Sequence, residues 1–179
     1  MKEDIQEILF SSEVLTEKVK ELAEKITNDY KGKELVVVGI LKGSVVFAAE
    51  LIKNISIKCE IDFMAVSSYG NSTETSGVVR ILKDLDSNIE GKNILIVEDI
   101  VDTGTTLKYL LEYLKARKAD SIEIVSLLNK PARRKVDLNV KYIGFEVPVA
   151  FIVGYGIDYA EQYRNLPYIG ILKPEVYEK

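Results

Sequence analysis

The segment EDIVDTGTT at 98–106 gathers three carboxylates, a glycine and three threonines directly after an apolar run, NILIV at 93–97. Glycine permits a tight turn, and a helix opening at the threonines would present unpaired N–H groups and the positive end of its dipole. With the hydroxyls of Thr103, Thr105 and Thr106 as further donors, the stretch containing Gly104 reads as a phosphate cradle. Glu98 and Asp99 would repel a phosphate laid directly on them, so they point to ribose hydroxyls and to Mg2+ held beside the phosphate. A phosphorylated sugar satisfies all of these groups at once. A strand-end acidic cluster with a threonine cap and a plain glycine turn would show the same residues.

The chain contains no histidine. That excludes a Ser-His-Asp triad, a Cys-His pair and any histidine-ligated metal, so acid–base chemistry falls to carboxylates, lysine or tyrosine. The single cysteine, Cys59, cannot form an internal disulfide or a four-thiolate site, and is read as a small core residue in a reducing compartment. Lys and Arg number 24 against 28 Asp and Glu, a net charge of −4, without the overall positive field of a nucleic-acid binder. The first residues, MKEDIQEILF, place acids where a signal peptide needs an apolar core, and no run approaches the ~20 apolar residues of a membrane helix. A cytoplasmic protein with no membrane and no nucleic-acid partner is expected.

The elements that must position these groups are visible in the periodicity. Val14, Leu15, Val19, Leu22, Ala23 and Ile26 form a helical stripe over 12–30, with Gly32 placed to terminate it. The valine-rich run at 34–41 and the run at 93–100 have the continuous apolar character of strands covered on both faces. A helix is expected at 45–53, an alternating strand at 57–66, and a helix carrying Leu107, Leu110, Leu111 and Leu114 after the acidic segment. Further strands are expected at 121–128, 142–145 and 151–153. The alternation predicts one α/β domain over 1–179, a twisted, mainly parallel sheet with helices on both faces, and such sheets bind ligands at the carboxyl ends of their strands.

VEDIVDTGTT resembles the phosphoribosyl-pyrophosphate signature of the type I phosphoribosyltransferases. The resemblance extends over nearly the whole chain, since LKGS at 41–44, SSYG at 67–70, LNKPARR at 128–134 and FIVGYGIDYAEQYRNLPYIG at 151–170 are similar, in the same order, to the hypoxanthine-guanine branch. It implies that fold with a small hood made from the chain ends, and transfer of a 5-phosphoribosyl group from phosphoribosyl pyrophosphate to N9 of hypoxanthine or guanine. The products would be IMP or GMP and pyrophosphate, with Mg2+ as cofactor, in a homodimer or homotetramer serving purine salvage.

By the same resemblance Asp102 is the general base that takes the purine N7 proton. Lys42 and Gly43, preceded by a cis peptide after Leu41, and Arg164 would hold pyrophosphate. Glu98, Asp99, Thr103, Gly104, Thr105 and Thr106 would hold ribose 5-phosphate. Lys130 would donate to the purine 6-oxo group, Phe151 would stack on the base and Ile152 would offer backbone groups, while Glu98, Asp99 and Asp158 would serve the metal. The polar stretch 67–80 is expected to be a mobile loop that closes with Ser68 and Tyr69 over the reaction centre. Ile152 and Ile157 stand where valine and leucine are expected in relatives. Two other readings stay open: a nucleotide-sensing RNA-binding regulator on the same fold, and a xanthine-preferring transferase.

Overall fold

The computed structural model describes residues 1–68 and 79–178, of Ser68 the backbone alone. A six-stranded sheet runs in the order β4-β3-β2-β5-β6-β7, built from β2 (Leu35–Leu41), β3 (Cys59–Ser68), β4 (Val79–Lys83), β5 (Asn93–Val101), β6 (Ser121–Asn129) and β7 (Tyr142–Glu146). All pairings are parallel except β3 with β4, which is antiparallel. A second, three-stranded antiparallel sheet joins β1 (Ile5–Phe10), β9 (Ile169–Leu172) and β8 (Ile152–Val153). This is the hood expected from the chain ends.

The apolar runs behave as their composition dictates. In β2, Leu35 and Val37 face one core while Val36, Val38 and Ile40 face another, and β5 repeats the split with Leu95 and Val97 against Ile94 and Ile96. The first core is covered by α1 (Ser12–Asp29) and α2 (Val45–Asn54), the second by α3 (Thr105–Lys115). A strand with helices on both faces has no solvent side, so it needs apolar residues at every position rather than at alternate ones. Helix α1 is capped by the Ser11 hydroxyl, which accepts from the Val14 amide at 3.4 Å, and buries Leu15, Val19, Leu22, Ala23 and Ile26. Cys59 is a half-buried free thiol at the edge of the first core.

The structure corrects three expectations. The strand expected at 151–153 does not extend the parallel sheet; β8 pairs antiparallel with β9 in the hood. No helix separates β6 from β7, where a single 3-10 turn at Pro131–Arg133 suffices. The stretch 67–80 is not loop throughout, since Ser67 pairs with Arg80 and Ser68 with Val79 as a hairpin stem. Tyr69 and the rest of the expected loop lie outside the described residues. The one-turn α4 (Pro174–Tyr177) follows β9.

Candidate active site

Strand order reverses between β2 and β5: from β2 the chain moves to β3 on one side, and from β5 to β6 on the other. Loops leaving such neighbours diverge and open a crevice at their carboxyl ends. Lys42 and Gly43 leave β2 there, and the 98–106 segment leaves β5. The Leu41–Lys42 peptide is cis.

The β5 loop holds a cavity of about 230 Å³ lined by Glu98, Ile100, Val101, Asp102, Thr103, Gly104, Thr106 and Leu107. Gly104 sits at φ +80 directly before α3, the left-handed region where a side chain is strained, and it abuts Arg134, Val136 and Leu138. The Thr103 hydroxyl accepts from the Thr105 amide at 3.4 Å, so the turn is braced internally while the start of α3 faces the cavity. The basic segment 133–135 clasps the loop from outside. Arg134 Nε donates to the Asp102 carbonyl at 3.2 Å, and the Lys135 amide donates to the Thr103 carbonyl at 3.0 Å.

Asp102 carries an unusual acceptor. Its Oδ1 is buried and lies 2.9 Å from Arg133 Nε, a charge contact that misses hydrogen-bond alignment, so among the described residues the oxygen has no hydrogen-bond donor. The rest of the Asp102 side chain is partly exposed and lines the cavity, so the carboxylate is placed where a ligand can present a proton to it.

Glu98 and Asp99 stand side by side at the end of β5. Burial, then the neighbouring Asp99 charge, pushes Glu98 well above the usual carboxylate range. Burial pushes Asp99 up to about 6, opposed by its hydrogen bond from the Ile100 amide and by the Arg164 charge. Adjacent carboxylates that resist joint ionisation suit ribose hydroxyls or a cation. Among the described residues no three acidic or thiol groups converge as a cage, and Mg2+ is ordinarily held by one or two carboxylates together with substrate phosphates and water. The donor set fits Mg2+ on those terms.

A Cβ built on Gly43 would overlap the Asp99 carboxylate, and one on Gly156 would overlap the Gly43 carbonyl. Three segments therefore meet with no room for side chains. Beside them Arg164 donates through Nη1 to the Gly156 carbonyl at 2.9 Å, and its Nη2 lies 3.0 Å from Asp158 Oδ1. Asp158 also accepts the Glu161 amide at 2.8 Å. Glu161 bridges the two cations, 2.8 Å from Lys42 Nζ and 3.3 Å from Arg164 Nη2. Lys42, Gly43 and Arg164 are thus brought together from opposite ends of the chain.

A third wall follows β6. Lys130 is only 7% exposed, its Nζ donates to the Ala150 carbonyl at 2.8 Å, and burial lowers its pKa. It is not part of a solvated basic run. Phe151, next to that carbonyl, is 48% exposed while Ile152 beside it is buried. An aromatic ring left half in solvent beside a buried ammonium has the makings of a recognition surface.

The family model for a phosphoribosyl transferase domain matches residues 6–160. The chain belongs to the phosphoribosyltransferase family. It is 57% identical over 178 residues to the hypoxanthine-guanine phosphoribosyltransferase of Bacillus subtilis, covering 99% of each chain. The solved structure of a hypoxanthine phosphoribosyltransferase from Staphylococcus aureus matches with a TM-score of 0.98 at 56% identity, over 100% of this chain and 97% of that one. A hypoxanthine-guanine phosphoribosyltransferase structure from Bacillus anthracis matches at 0.91 and 54% identity, over 94% of this chain and 99% of that one.

Within this phosphoribosyltransferase the structure also displays groups that sequence reasoning passed over. Arg133 against Asp102, Arg134 behind the phosphate turn, and Glu161 between Lys42 and Arg164 carried no signal beyond a run of charges in KPARRK and a lone acid in YAEQYR. Ser68 and Tyr69 are not brought into the site by anything described, since the Ser68 side chain and all of Tyr69 lie outside the described residues.

Proposed function

We propose that this chain transfers the 5-phosphoribosyl group of phosphoribosyl pyrophosphate to N9 of hypoxanthine or guanine, giving IMP or GMP and pyrophosphate. The observation that carries the reading is the placing of Asp102, whose charge reaches the buried Lys130, on the lining of the cavity at the start of α3.

Each wall has its task. The 5-phosphate sits on the turn of Thr103, Gly104, Thr105 and Thr106 at the start of α3, and the ribose hydroxyls meet Glu98 and Asp99. Pyrophosphate lies between Lys42, the backbone at Gly43 and Arg164, whose planar fork suits phosphate oxygens. The base stacks on Phe151 over Ile152, and Lys130 donates to its 6-oxo oxygen. An ammonium can only donate, so adenine, which presents an amine there, is disfavoured. As the N9 bond forms, Asp102 takes the N7 proton. Glu98, Asp99 and Asp158 would hold Mg2+ together with substrate oxygens, and the ion would supply neutralisation of the charge that grows on pyrophosphate. Ser68, Tyr69 and the residues that follow them, between the paired ends of the 67–80 stretch, would exclude water from the reaction centre.

The setting is purine salvage in the cytoplasm, in a homodimer or homotetramer whose size light scattering would give. Among the described residues no helix is long and apolar enough to cross a membrane. The test is a steady-state assay with phosphoribosyl pyrophosphate, Mg2+ and each of hypoxanthine, guanine, xanthine, adenine and uracil, repeated in excess EDTA. Turnover confined to 6-oxopurines and abolished by chelation is expected. Fastest turnover with xanthine would move the assignment to that base, and no turnover with any base would refute transferase activity in favour of a regulator.

A further inference from the structure

The ring assigned to the base does not stand alone. Phe151 has the Tyr177 ring tilted against it, with centroids 4.1 Å apart and planes 33° apart, and the edge of Tyr159 at 5.9 Å. Both tyrosines also pack on the hood's own apolar cluster around Val153 and Leu172. Residues 151 and 153 lie on the same face of an extended strand, so Phe151 continues the face on which those tyrosines sit.

Tyr177 owes its place to short-range instructions. Pro174 opens the single turn of α4, the Lys173 amide donates to the Asp4 carbonyl at 2.9 Å, and the Leu172 amide donates to the Phe151 carbonyl at 2.9 Å. The turn is therefore pinned both to the start of the chain and to the residue its tyrosine covers. A half-exposed phenylalanine free to rotate would have to be ordered by each incoming base, whereas a ring already held between two others has lost that freedom beforehand.

We infer that Tyr177 is a positioning residue for purine recognition: it does not touch the reacting atoms, and it fixes the plane of Phe151 so that the ring is presented flat to the base. The inference rests on the placing of the base at Phe151 given above. An aromatic contact of this kind is worth about 3- to 10-fold in binding.

The experiment compares wild type, Tyr177→Ala, Tyr177→Phe, Phe151→Ala and the Phe151→Ala/Tyr177→Ala double variant, with KM for hypoxanthine, guanine and phosphoribosyl pyrophosphate measured separately. Tyr177→Ala is expected to raise both purine KM values about 3- to 10-fold while shifting KM for phosphoribosyl pyrophosphate less than about 2-fold. Tyr177→Phe is expected to restore them, and Tyr177→Ala to add nothing once Phe151 is alanine. Thermal unfolding monitors the fold, and Tyr177→Leu, which keeps apolar bulk without a ring, gives the same readout should the alanine variant unfold. Unchanged purine KM in a folded variant would overturn the inference. So would an equal rise in all three KM values, or a fall in purine KM, which would make the tyrosine a competitor for the ring face. Unchanged purine KM in Phe151→Ala would instead overturn the base assignment, and the inference with it.

Discussion

Gly43→Ala tests whether the β2 and β5 loops truly share one space. The added Cβ would overlap Asp99 Oδ2 and come within 2.7 Å of its Cγ. Retreat of the backbone is blocked, because the Gly43 carbonyl already lies where a Cβ on Gly156 would be. The Asp99 carboxylate must therefore give way. Over-packing of this kind costs about 1–3 kcal/mol, and a shift of about 1 Å in a positioned group can cost on the order of 10²-fold in rate. Urea unfolding of Gly43→Ala, Asp99→Ala and the double variant separates the two effects. Asp99→Ala removes the obstacle, so the glycine substitution should lose most of its stability cost in that background, an interaction energy of about 1–3 kcal/mol between the sites. The kcat/KM for phosphoribosyl pyrophosphate should fall about 100-fold in Gly43→Ala alone. Strictly additive stabilities would refute the steric reasoning, since they would mean the methyl finds room without touching Asp99.

The other expectations concern single groups. Asp102→Asn keeps the turn but cannot take a proton, so kcat should drop about 10²–10⁴-fold with phosphoribosyl pyrophosphate affinity little changed; loss of affinity alone, in equilibrium titration, would recast Asp102 as a phosphate-loop residue. Lys130→Gln, whose amide can turn either face to the base, should narrow the preference for hypoxanthine over adenine in competition assays, and unaltered discrimination with full activity would move recognition to the backbone near Phe151 and Ile152. Glu98 and Asp99 are both raised by burial, so in metal-free buffer the unfolded chain ionises first and the pair's contribution to stability should fall as pH climbs above about 4, for Asp99 through about 6. In urea titrations Glu98→Gln should therefore gain stability relative to wild type as pH rises through that range, and a relative loss would contradict the raised carboxylates.

The run patterns made the parallel sheet legible, because strands buried on both faces need apolar residues throughout and 35–41 and 94–97 have them. The hood was not legible from periodicity. Ile5–Phe10 and Ile169–Leu172 are short, and their partner is at the other end of the chain, so no local pattern announces the pairing. The turn before α3 could be read from residue type, since a glycine between threonines suits a left-handed position at a helix start, and Gly104 takes it. Lys130 could not. A lysine inside KPARRK looks solvated until the fold places the Ala150 carbonyl against its ammonium. Phe151 gives no signal by itself either, since an aromatic residue is usually core, and only the fold shows that it stands half exposed.

The pairing of Ile5 with Leu172 has a consequence for how the molecule comes into being. The turn before α3 and the segment 133–135 that clasps it lie close together in sequence, so they can meet as soon as that stretch of chain is made. The hood cannot, since β1 is made first and must wait for β9, and closing so long a loop is entropically the most expensive pairing available to it. Until that strand arrives, Phe151 has neither the hydrogen bond from Leu172 nor the ring of Tyr177. During synthesis, then, the turn proposed to hold phosphate can form before the ring proposed to stack on the base is set in place.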